Sequence, residues 1–426
     1  MHELSQMIKD DMKPALGVTE PGAIAFAVAK ARSFTKGDIK KVNVAMNSGM
    51  YKNAFTCGIP NSNKVGNMFA AALGVVAGNA DKGLESLADV TPEDNVKAQE
   101  MIDQGKITVE LSGITSRIFI EATVETEEDK AIVTIRDSHT NITKIIVNDK
   151  VELETEDEKK TEEDGGEEES HSIHKYTLQQ LYDYVTTVDI EEIRFINEAY
   201  KVNLELFHEG LENPRTTFAR QLLAINNGKE VSDDEQKTAS LMCNAAIEAR
   251  VIGLDKPAMS ITGSGAHGII ATMPLYAAYK VNGYTEEQLL RATALSYLVC
   301  MYIKEYSGRL SAFCGCAIAA GSGMACALVY LRGGTVEMMA HTLNNMASSI
   351  TGMICDGGNQ GCTMKGVAAV DAAYKSVEFA MNGIYISEVH GINGNTPEET
   401  MRNMGLIASP GMVGTEKTIV EIFEDK

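Results

Sequence analysis

The stretch "MICDGGNQGCTMKG" places Cys355 and Cys362 on either side of a Gly-Gly-Asn-Gln-Gly loop. A second pair, Cys314 and Cys316, lies in "FCGC". Thiolates are soft ligands that hold iron–sulfur clusters and zinc. A structural zinc site normally draws on C-x-x-C pairs or on histidines at standard spacing, and neither accompanies these cysteines. The spacing therefore favours a cluster over zinc.

Three thiolates on a four-iron cluster would leave one iron open. An open iron acts as a Lewis acid that binds a substrate carboxylate and a leaving group, which suits dehydration-type chemistry. The alternative is that these cysteines pack in an Ala- and Gly-rich core, as free cysteines usually do. The spacing alone does not favour either the cluster or core packing. The glycine loop favours the cluster, because cysteines that only pack in a core need no flexible connection. Packing is assigned to the other four cysteines, Cys57, Cys243, Cys300 and Cys326.

Three further segments carry polar groups that could bind or move protons. "TGSGAHG" begins a predicted helix and exposes backbone N–H groups that suit a carboxylate, although a simple helix cap is the plainer interpretation. "NSGMYKNA" contains Lys52, which could pair with a carboxylate. "SHTNIT" contains His139, a candidate proton shuttle, although a lone loop histidine is more often a satisfied polar residue.

The charge balance narrows the classes of partner. The 426 residues include 38 Lys and Arg against 59 Asp and Glu, a formal net charge of −21. Such a field repels phosphate backbones and anionic lipid, so nucleic acids and membrane surfaces are poor candidates. The segment "MHELSQMIKDDMKPALG" does not resemble a signal peptide, and no apolar run reaches the roughly 18 residues of a spanning helix. We expect a cytoplasmic protein with reduced cysteines.

The hydrophobic patterns predict an α+β fold. In residues 1–150, runs such as "KITVELS", "RIFIEATVET" and "AIVTIRDS" with short gaps predict an α+β domain with an antiparallel sheet. Residues 151–175 are predicted to form an acidic linker or surface loop, since eleven acidic residues lie between Glu152 and Glu169. Residues 176–426 have helical spacing and predict a mostly α-helical, cluster-binding domain in which "CGCAIAAGSGMACALVYL" is a buried helix.

Six stretches occur here in the order seen in one known family: "MKPALGVTEP", "YKNAFTCGIP", "SHTNIT", "TGSGAHGI", "SGRLSAFCGCAIAAG" and "CDGGNQGCTMKG". The chain resembles the iron–sulfur L-cysteine desulfidase family (the UPF0597-type proteins). The helical domain of that family is similar to the α-domain of bacterial iron–sulfur L-serine dehydratases. The resemblance covers nearly the whole chain, and the cysteine-bearing motifs are specific.

The resemblance implies an oxygen-sensitive [4Fe–4S] cluster and β-elimination from a small L-amino acid. The expected reaction converts L-cysteine to pyruvate, ammonia and sulfide; the alternatives are L-serine deamination, or a non-catalytic cluster- or ligand-binding member. The cluster ligands would be Cys314, Cys355 and Cys362, with Cys316 competing for the first position. The expected partners are the amino-acid substrate and a second copy of the chain in a homodimer.

The resemblance also implies a substrate pocket. Together with Lys52, the residues expected to line it are Asn53, Thr140, Asn141, Gly263, Ser264 and Gly265.

One departure from the family concerns the base that removes the α-proton. The family usually has a cysteine, thought to be this base, where this chain has Val18, and valine cannot accept a proton. Cys57 is a candidate as a relocated thiol. His267 stands where the family commonly has glutamine and is a candidate base with a pKa in the neutral range. His139 is the third candidate.

Overall fold

The computed structural model describes residues 1–115, 117–155, 173–308 and 310–426. The predicted α+β class is confirmed by a sheet in the N-terminal part and helices throughout the rest. One cluster of buried apolar side chains includes residues of both parts, such as Ile24 and Leu295. The domain boundaries at 150 and 176 stay predictions, and residues 156–172 of the predicted linker lie outside the described residues. No helix in the described ranges is both long and apolar enough to cross a membrane.

Eight strands are described. They are β1 Lys13–Leu16, β2 Ile39–Asn47, β3 Ile107–Gly113, β4 Phe119–Thr126, β5 Lys130–Arg136, β6 Ile142–Val147, β7 Lys150–Glu154 and β8 Pro257–Ser260. Six of them form one sheet in the order β3-β2-β4-β5-β6-β7, and β1 pairs with β8. The predicted strand runs are confirmed, and the sheet continues through β7, an exposed edge strand that begins at the predicted end of the first domain.

The sheet is antiparallel, as expected, in four of its five neighbouring pairs. The fifth pair, β2 with β3, is parallel. Parallel neighbours need a crossover connection of a dozen or more residues, usually helical. The chain between these two strands supplies one, since it contains three α-helices.

The N-terminal part contains five α-helices: α1 Glu3–Asp11, α2 Thr19–Arg32, α3 Ser48–Ala54, α4 Asn67–Ala77 and α5 Pro92–Asp103. Helix α2 is buried along nearly its whole length and packs against α4 and β4. The α2–α4 contact is close because a Cβ on Gly74 would lie 2.8 Å from the Ala25 backbone. This packing holds the first turn of α2, with its carboxylate Glu20, inside the protein.

The remaining helices follow the predicted helical patterns. They are α6 Leu178–Thr187, α7 Ile190–Ile193, α8 Asn197–Glu212, α9 Phe218–Ile225, α10 Glu235–Val251, α11 Gly265–Asn282, α12 Glu286–Ser307, α13 Gly321–Leu331, α14 Val336–Ile350, α15 Gly361–Met381, α16 Pro397–Leu406 and α17 Val413–Glu424. Helices α10, α11 and α12 are buried nearly all round, which is typical of the centre of a large helical domain.

The predicted buried helix "CGCAIAAGSGMACALVYL" is confirmed. A π-type turn at Cys316–Ala320 leads into α13, and all but one side chain of α13 are buried. Its glycines permit close contact with α12, because a Cβ on Gly323 would lie 2.2 Å from the carbonyl oxygen of Ser296. The N-terminal and helical parts are further joined by the β1–β8 ribbon and by the packing of α17 against α3.

Candidate active site

A short antiparallel bridge brings the two cysteine segments together. The Cys314 N–H donates to the Met353 carbonyl at 3.0 Å, and the Cys355 N–H donates to the Ala312 carbonyl at 2.6 Å. In this pairing Cys314 and Cys355 are diagonal neighbours on one face. Diagonal neighbours across antiparallel strands lie roughly 7–8 Å apart. Two cysteines that are 41 positions apart in the chain are thus adjacent (355 − 314 = 41).

Cys362 reaches the same place from the first turn of α15. Its N–H donates to the Asn359 carbonyl at 2.9 Å, and its thiol donates to the Gly357 carbonyl at 3.4 Å. Gly357 has φ 102°, and a Cβ there would lie 2.5 Å from the carbonyl oxygen of Lys52. The loop glycine is therefore required for packing against α3, in addition to any flexibility that the sequence suggested.

The thiols of Cys314, Cys355 and Cys362 influence one another. Burial raises the pKa of Cys362 to about 12, and the nearby Cys355 and Cys314 thiols add to the effect. The pKa of Cys355 is raised by burial, a shift that Cys314 increases and Lys52 opposes. The structure therefore brings together the three thiols that the family resemblance implied as ligands.

Cys316 interacts with Cys314. It raises the pKa of Cys314, to which burial also contributes, and it adds to the effect of burial on the pKa of Cys243 and Cys300. Cys316 itself begins the π-type turn and is partly exposed. Of the two cysteines in "FCGC", Cys314 is thus the one whose charge is coupled to both Cys355 and Cys362.

Two lysines place positive charge beside the thiols. Lys365 forms an ion pair with Asp356, and its pKa is raised because that pair and the Cys355 and Cys362 thiols outweigh burial. The buried Lys304 donates to the Gly308 carbonyl at 2.8 Å, and burial lowers its pKa against the opposing effect of the cysteines. Such cations would offset the negative charge of a cluster with thiolate ligands.

The donor set suits a cluster better than a single ion. Within the described ranges, no three His, Cys, Asp or Glu side chains are grouped so that they could hold one metal ion. Iron–sulfur clusters are held by cysteine thiolates around a larger body, so their ligands are spread further apart. Three converging thiols with flanking lysines fit that requirement.

A buried polar cluster lies next to the cysteines. Glu20 is 6% exposed, and its Oε1 accepts a hydrogen bond from Asn53 Nδ2 at 2.9 Å. Burial alone would raise the carboxyl pKa, but the side chains of His139, Asn53 and Arg250 outweigh burial and lower the pKa to about 2. Asn53 Oδ1 also lies 3.9 Å from Cys355 Sγ. Asn53 thus links the ionised Glu20 carboxylate to Cys355, a candidate cluster ligand.

His139 belongs to this cluster. Its ring is buried, and its Nε2 lies 3.8 Å from Glu20 Oε1, without a hydrogen-bond partner among the residues that the structure describes. The next two residues of the motif, Thr140 and Asn141, make no described contact with Glu20. Thr140 is exposed, and the Asn141 amide donates to the Arg136 carbonyl at 3.1 Å, which closes the turn between β5 and β6.

His267 lies in the first turn of α11. Its Nδ1 is hydrogen-bonded to the Thr262 hydroxyl, and its Nε2 faces Gly315, where a Cβ would lie only 2.7 Å away. Burial, followed by the charges of Lys304 and Arg250, lowers the His267 pKa to about 3. The sequence suggested a pKa in the neutral range, which this environment does not give. His267 is consequently a neutral and weakly basic imidazole.

The Gly-Ser-Gly segment forms a tight turn ahead of α11. Ile261 and Ser264 exchange two backbone hydrogen bonds of 3.3 and 3.1 Å, with Thr262 at φ 51° and Gly263 at φ 74°. The left-handed conformation favours glycine at position 263. The Ser264 hydroxyl does not cap the helix. The first N–H groups of α11 are therefore left for water or a ligand.

Cys57 and Val18 also adjoin the site. The Cys57 thiol is fully buried, and burial followed by the Glu20 charge raises its pKa well above the usual value. A thiol that stays protonated cannot accept the α-proton. Val18 is 3% exposed, and its Cγ1 lies 2.7 Å from where a Cβ on Gly358 would be. The position at which the family has its cysteine thus faces the cysteine loop.

Lys52 is already paired within the protein. Its Nζ donates to Glu416 Oε2 at 2.7 Å and to the Ser311 carbonyl at 2.9 Å, and the lysine is 1% exposed. Glu416 lies on α17, so the pair joins α3 to the C-terminal helix. The sequence suggested a carboxylate partner for Lys52, and the partner in the structure is a protein carboxylate.

We expect Lys52→Met to lower the free energy of unfolding by about 3–5 kcal/mol, because it leaves the Glu416 carboxylate buried without its counter-ion. Urea denaturation measures the change. The double variant Lys52→Met/Glu416→Leu should recover most of the loss. Lys82→Met, which breaks an exposed pair with Asp89, should cost less than about 1 kcal/mol. A loss as small for Lys52→Met as for Lys82→Met would contradict this role.

Three charged residues of the site were not predicted from the sequence motifs: Arg250, Lys304 and Glu20. Glu20 directly precedes the proline in "TEP" and could have been weighed as a buried carboxylate. Arg250 and Lys304 lie in long helical patterns, where a charged residue usually marks a solvent-facing position. Their burial depends on helices α10 and α12 being enclosed on all sides, and no local signal in the sequence reveals that.

A cleft of about 480 Å³ opens beside the cysteine loop. Gln360 and Gly361 line one side of it, and Val251, Ile252 and Arg215 line the other. Neither Ser264 nor His267 is among the residues that line this cleft. The cleft reaches the beginning of α15 from solvent.

The chain is similar in sequence to known proteins along nearly its whole length. A family model for the serine dehydratase alpha chain matches residues 81–421. A UPF0597 protein of Clostridium botulinum is 41% identical over 419 residues, 98% of this chain and 97% of that protein. UPF0597 proteins of Caldanaerobacter subterraneus and Bacteroides fragilis are 36% identical over 423 residues and 34% identical over 426 residues. These alignments cover 99% and 100% of this chain and 98% of each relative.

Proposed function

Since this chain belongs to the serine dehydratase alpha-chain family, we propose that it is a [4Fe–4S]-dependent lyase. Its substrate is a small L-amino acid, in the first place L-cysteine, which it converts to pyruvate, ammonia and sulfide. The observation that carries the proposal is the convergence of Cys314, Cys355 and Cys362 beside a buried polar cluster.

The three converging cysteines are the proposed cluster ligands. Cys314 takes the first position because its thiol influences both Cys355 and Cys362, while Cys316 influences Cys243 and Cys300. When bound, a cluster with three cysteine ligands supplies an iron that can act as a Lewis acid toward the carboxylate and the leaving group. Lys304 and Lys365 balance its negative charge.

The proposed base is His139. Its Nε2 has no hydrogen-bond partner among the described side chains and lies beside the ionised Glu20, which orients the ring and stabilises the imidazolium that forms. His139 takes the α-proton of L-cysteine while the bond between Cβ and sulfur breaks and sulfide leaves. The resulting enamine tautomerises to an imine, and water hydrolyses the imine to pyruvate and ammonia.

The test is an anaerobic assay of the reconstituted protein with L-cysteine and L-serine. We expect equal amounts of pyruvate and ammonia from either substrate that is turned over, with one sulfide for each pyruvate formed from L-cysteine. A higher kcat/KM for L-serine would move the assignment to L-serine dehydratase, the second candidate. A protein that binds the cluster but releases neither pyruvate nor sulfide would overturn the proposal.

The valine at position 18 favours another candidate function, that of a cluster-binding member without activity. The substitution Val18→Cys distinguishes this function from the lyase. With His139 as the base, we expect Val18→Cys to change kcat by less than about tenfold, which is 1.4 kcal/mol in the barrier. The measurement is sulfide release from L-cysteine at saturation. A rise from no activity to rapid turnover would show that the valine had silenced the protein, and would remove His139 from the role of base.

The proposal includes a cytoplasmic homodimer. All eight cysteines are free thiols in the structure, which is the usual state in reducing compartments. Sedimentation of the reconstituted protein tests the dimer.

A further inference from the structure

Arg250 is a buried cation for which the described residues supply no ion pair and no hydrogen bond at Nε. It lies on α10, is 4% exposed, and its Nε has no hydrogen-bond partner among the residues that the structure describes. The ion pairs described for this chain do not include it. By contrast, Arg332 on a neighbouring segment pairs with Glu235 at 3.2 Å.

A guanidinium in this state is costly to keep. Burying a charge without a counter-ion or hydrogen bonds is strongly unfavourable, so buried arginines normally pair with carboxylates or phosphates. Such a residue persists where a ligand supplies the missing partner. The planar guanidinium offers parallel N–H donors that match both oxygens of a carboxylate.

Arg250 lies within the candidate site. Its charge helps to lower the pKa of Glu20 and His267 and opposes the rise in the pKa of Cys57. A Cβ on Gly265 would lie 2.7 Å from Arg250 Nε, so the side chain packs directly beneath the first residue of α11. The N-terminus of that helix adds further positive potential at this place.

We propose that Arg250 binds the α-carboxylate of the amino-acid substrate. This inference rests on the proposed function and adds to it the group that recognises one end of the substrate. Glu20, whose pKa the Arg250 charge helps to lower, is hydrogen-bonded to Asn53 and lies beside His139, and no described hydrogen bond joins it to the guanidinium. Arg250 is thereby a specificity residue that selects ligands with a free carboxylate next to the reacting carbon.

The test measures binding by calorimetry on anaerobically reconstituted protein, with L-serine and L-serinamide as probes. The two differ in the carboxylate, which the amide replaces with a neutral group. The variants are Arg250→Met, Arg250→Lys and the control Arg332→Met. We expect Arg250→Met to weaken L-serine binding by at least roughly 30-fold, and Arg332→Met to leave it unchanged. Arg250→Lys should lie between, because lysine keeps the charge without the paired donors.

The amide probe isolates the carboxylate contact. The wild-type protein should bind L-serinamide much more weakly than L-serine, and this difference should become smaller in Arg250→Met, which keeps only the contribution of the proposed iron. Melting temperatures check folding, and Arg250→Met should melt at or above the wild-type temperature because an unpaired charge has been removed. Should Arg250→Met fail to fold, the Arg250→Lys variant and the amide probe carry the test.

Two outcomes overturn the inference: L-serine binding by folded Arg250→Met with wild-type affinity, or equal wild-type affinity for L-serine and L-serinamide. The failure of the proposed function looks different. If the wild-type protein binds L-serine through Arg250 but holds no iron, the carboxylate-binding role of Arg250 stands and the lyase proposal is wrong. If the protein holds the cluster and releases sulfide, and Arg250→Met leaves the KM unchanged, the lyase proposal stands and the role of Arg250 is wrong.

Discussion

Replacing Cys314 with alanine is expected to abolish cluster binding and turnover, whereas Cys316→Ala should retain both. Cys314 is coupled to Cys355 and Cys362, so its loss removes one of the three proposed ligands. Substitutions outside the first ligand shell already cost roughly 10–100-fold in metal affinity or activity. We therefore expect Cys314→Ala to lose at least a hundredfold in sulfide release. Iron and acid-labile sulfide per chain, measured after anaerobic reconstitution, report the cluster directly.

A matched control is Cys326→Ala. Cys326 is fully buried, and burial alone raises its pKa to about 12, so no other thiol acts on it. This variant should keep its iron, which separates loss of a ligand from the general effect of truncating a buried cysteine. If Cys316→Ala loses the iron and Cys314→Ala keeps it, the ligand at the first position is Cys316.

The second large effect is expected for His139→Ala. Removing a general base typically costs 10²–10⁴ in rate, and we expect kcat for L-cysteine to fall by about that factor while iron content stays at the wild-type level. Glu20→Gln should reduce kcat in the same direction by less, because it removes the charge that stabilises the imidazolium. The Glu20 pKa of about 2 keeps that carboxylate ionised throughout the assay range.

His208→Ala is the control for this series. His208 lies on the surface. Its side chain is 50% exposed, and its Nε2 lies 3.5 Å from Glu230 Oε2. Its replacement should leave kcat unchanged. Full activity of His139→Ala with normal iron content would contradict the assignment of the base and return the question to the residues around Val18.

Local patterns were sufficient for most of the fold. Alternation identified the strands around Val124 and Ile132, and helical spacing with small residues identified the buried helix after Cys316. The parallel β2–β3 pair was not predicted, because it depends on where a crossover of three helices returns the chain to the sheet. Short gaps between strands report only on antiparallel neighbours.

The candidate site divides in a similar way. Cysteine spacing and the family resemblance pointed to Cys314, Cys355 and Cys362, and the structure brings those thiols together. The proposal of Cys314 over Cys316 rests on the backbone bridge at Met353 and on the coupling of Cys314 to the other two thiols, which no spacing reveals. Arg250 was not predicted, because no sequence pattern shows that its Nε lacks a hydrogen-bond partner among the described residues.

The electrostatic environments of the candidate bases differ, and this difference supports the proposal of His139. From the sequence, His267 and His139 were the candidates for moving the proton, with Cys57 as a possible relocated thiol. Burial next to Lys304 and Arg250 makes His267 a weak base, and burial next to Glu20 keeps Cys57 protonated. Only His139 lies beside an ionised carboxylate with a ring nitrogen that lacks a hydrogen-bond partner within the described ranges.

Mössbauer spectroscopy of protein reconstituted anaerobically with ⁵⁷Fe can distinguish the irons of the proposed cluster. In that cluster three cysteines hold four irons and leave one iron for the substrate. We predict that L-cysteine or L-serine changes the spectrum of one iron in four and leaves the other three unaltered. A protein without bound iron, or a cluster whose four irons are all indifferent to both amino acids, would contradict it.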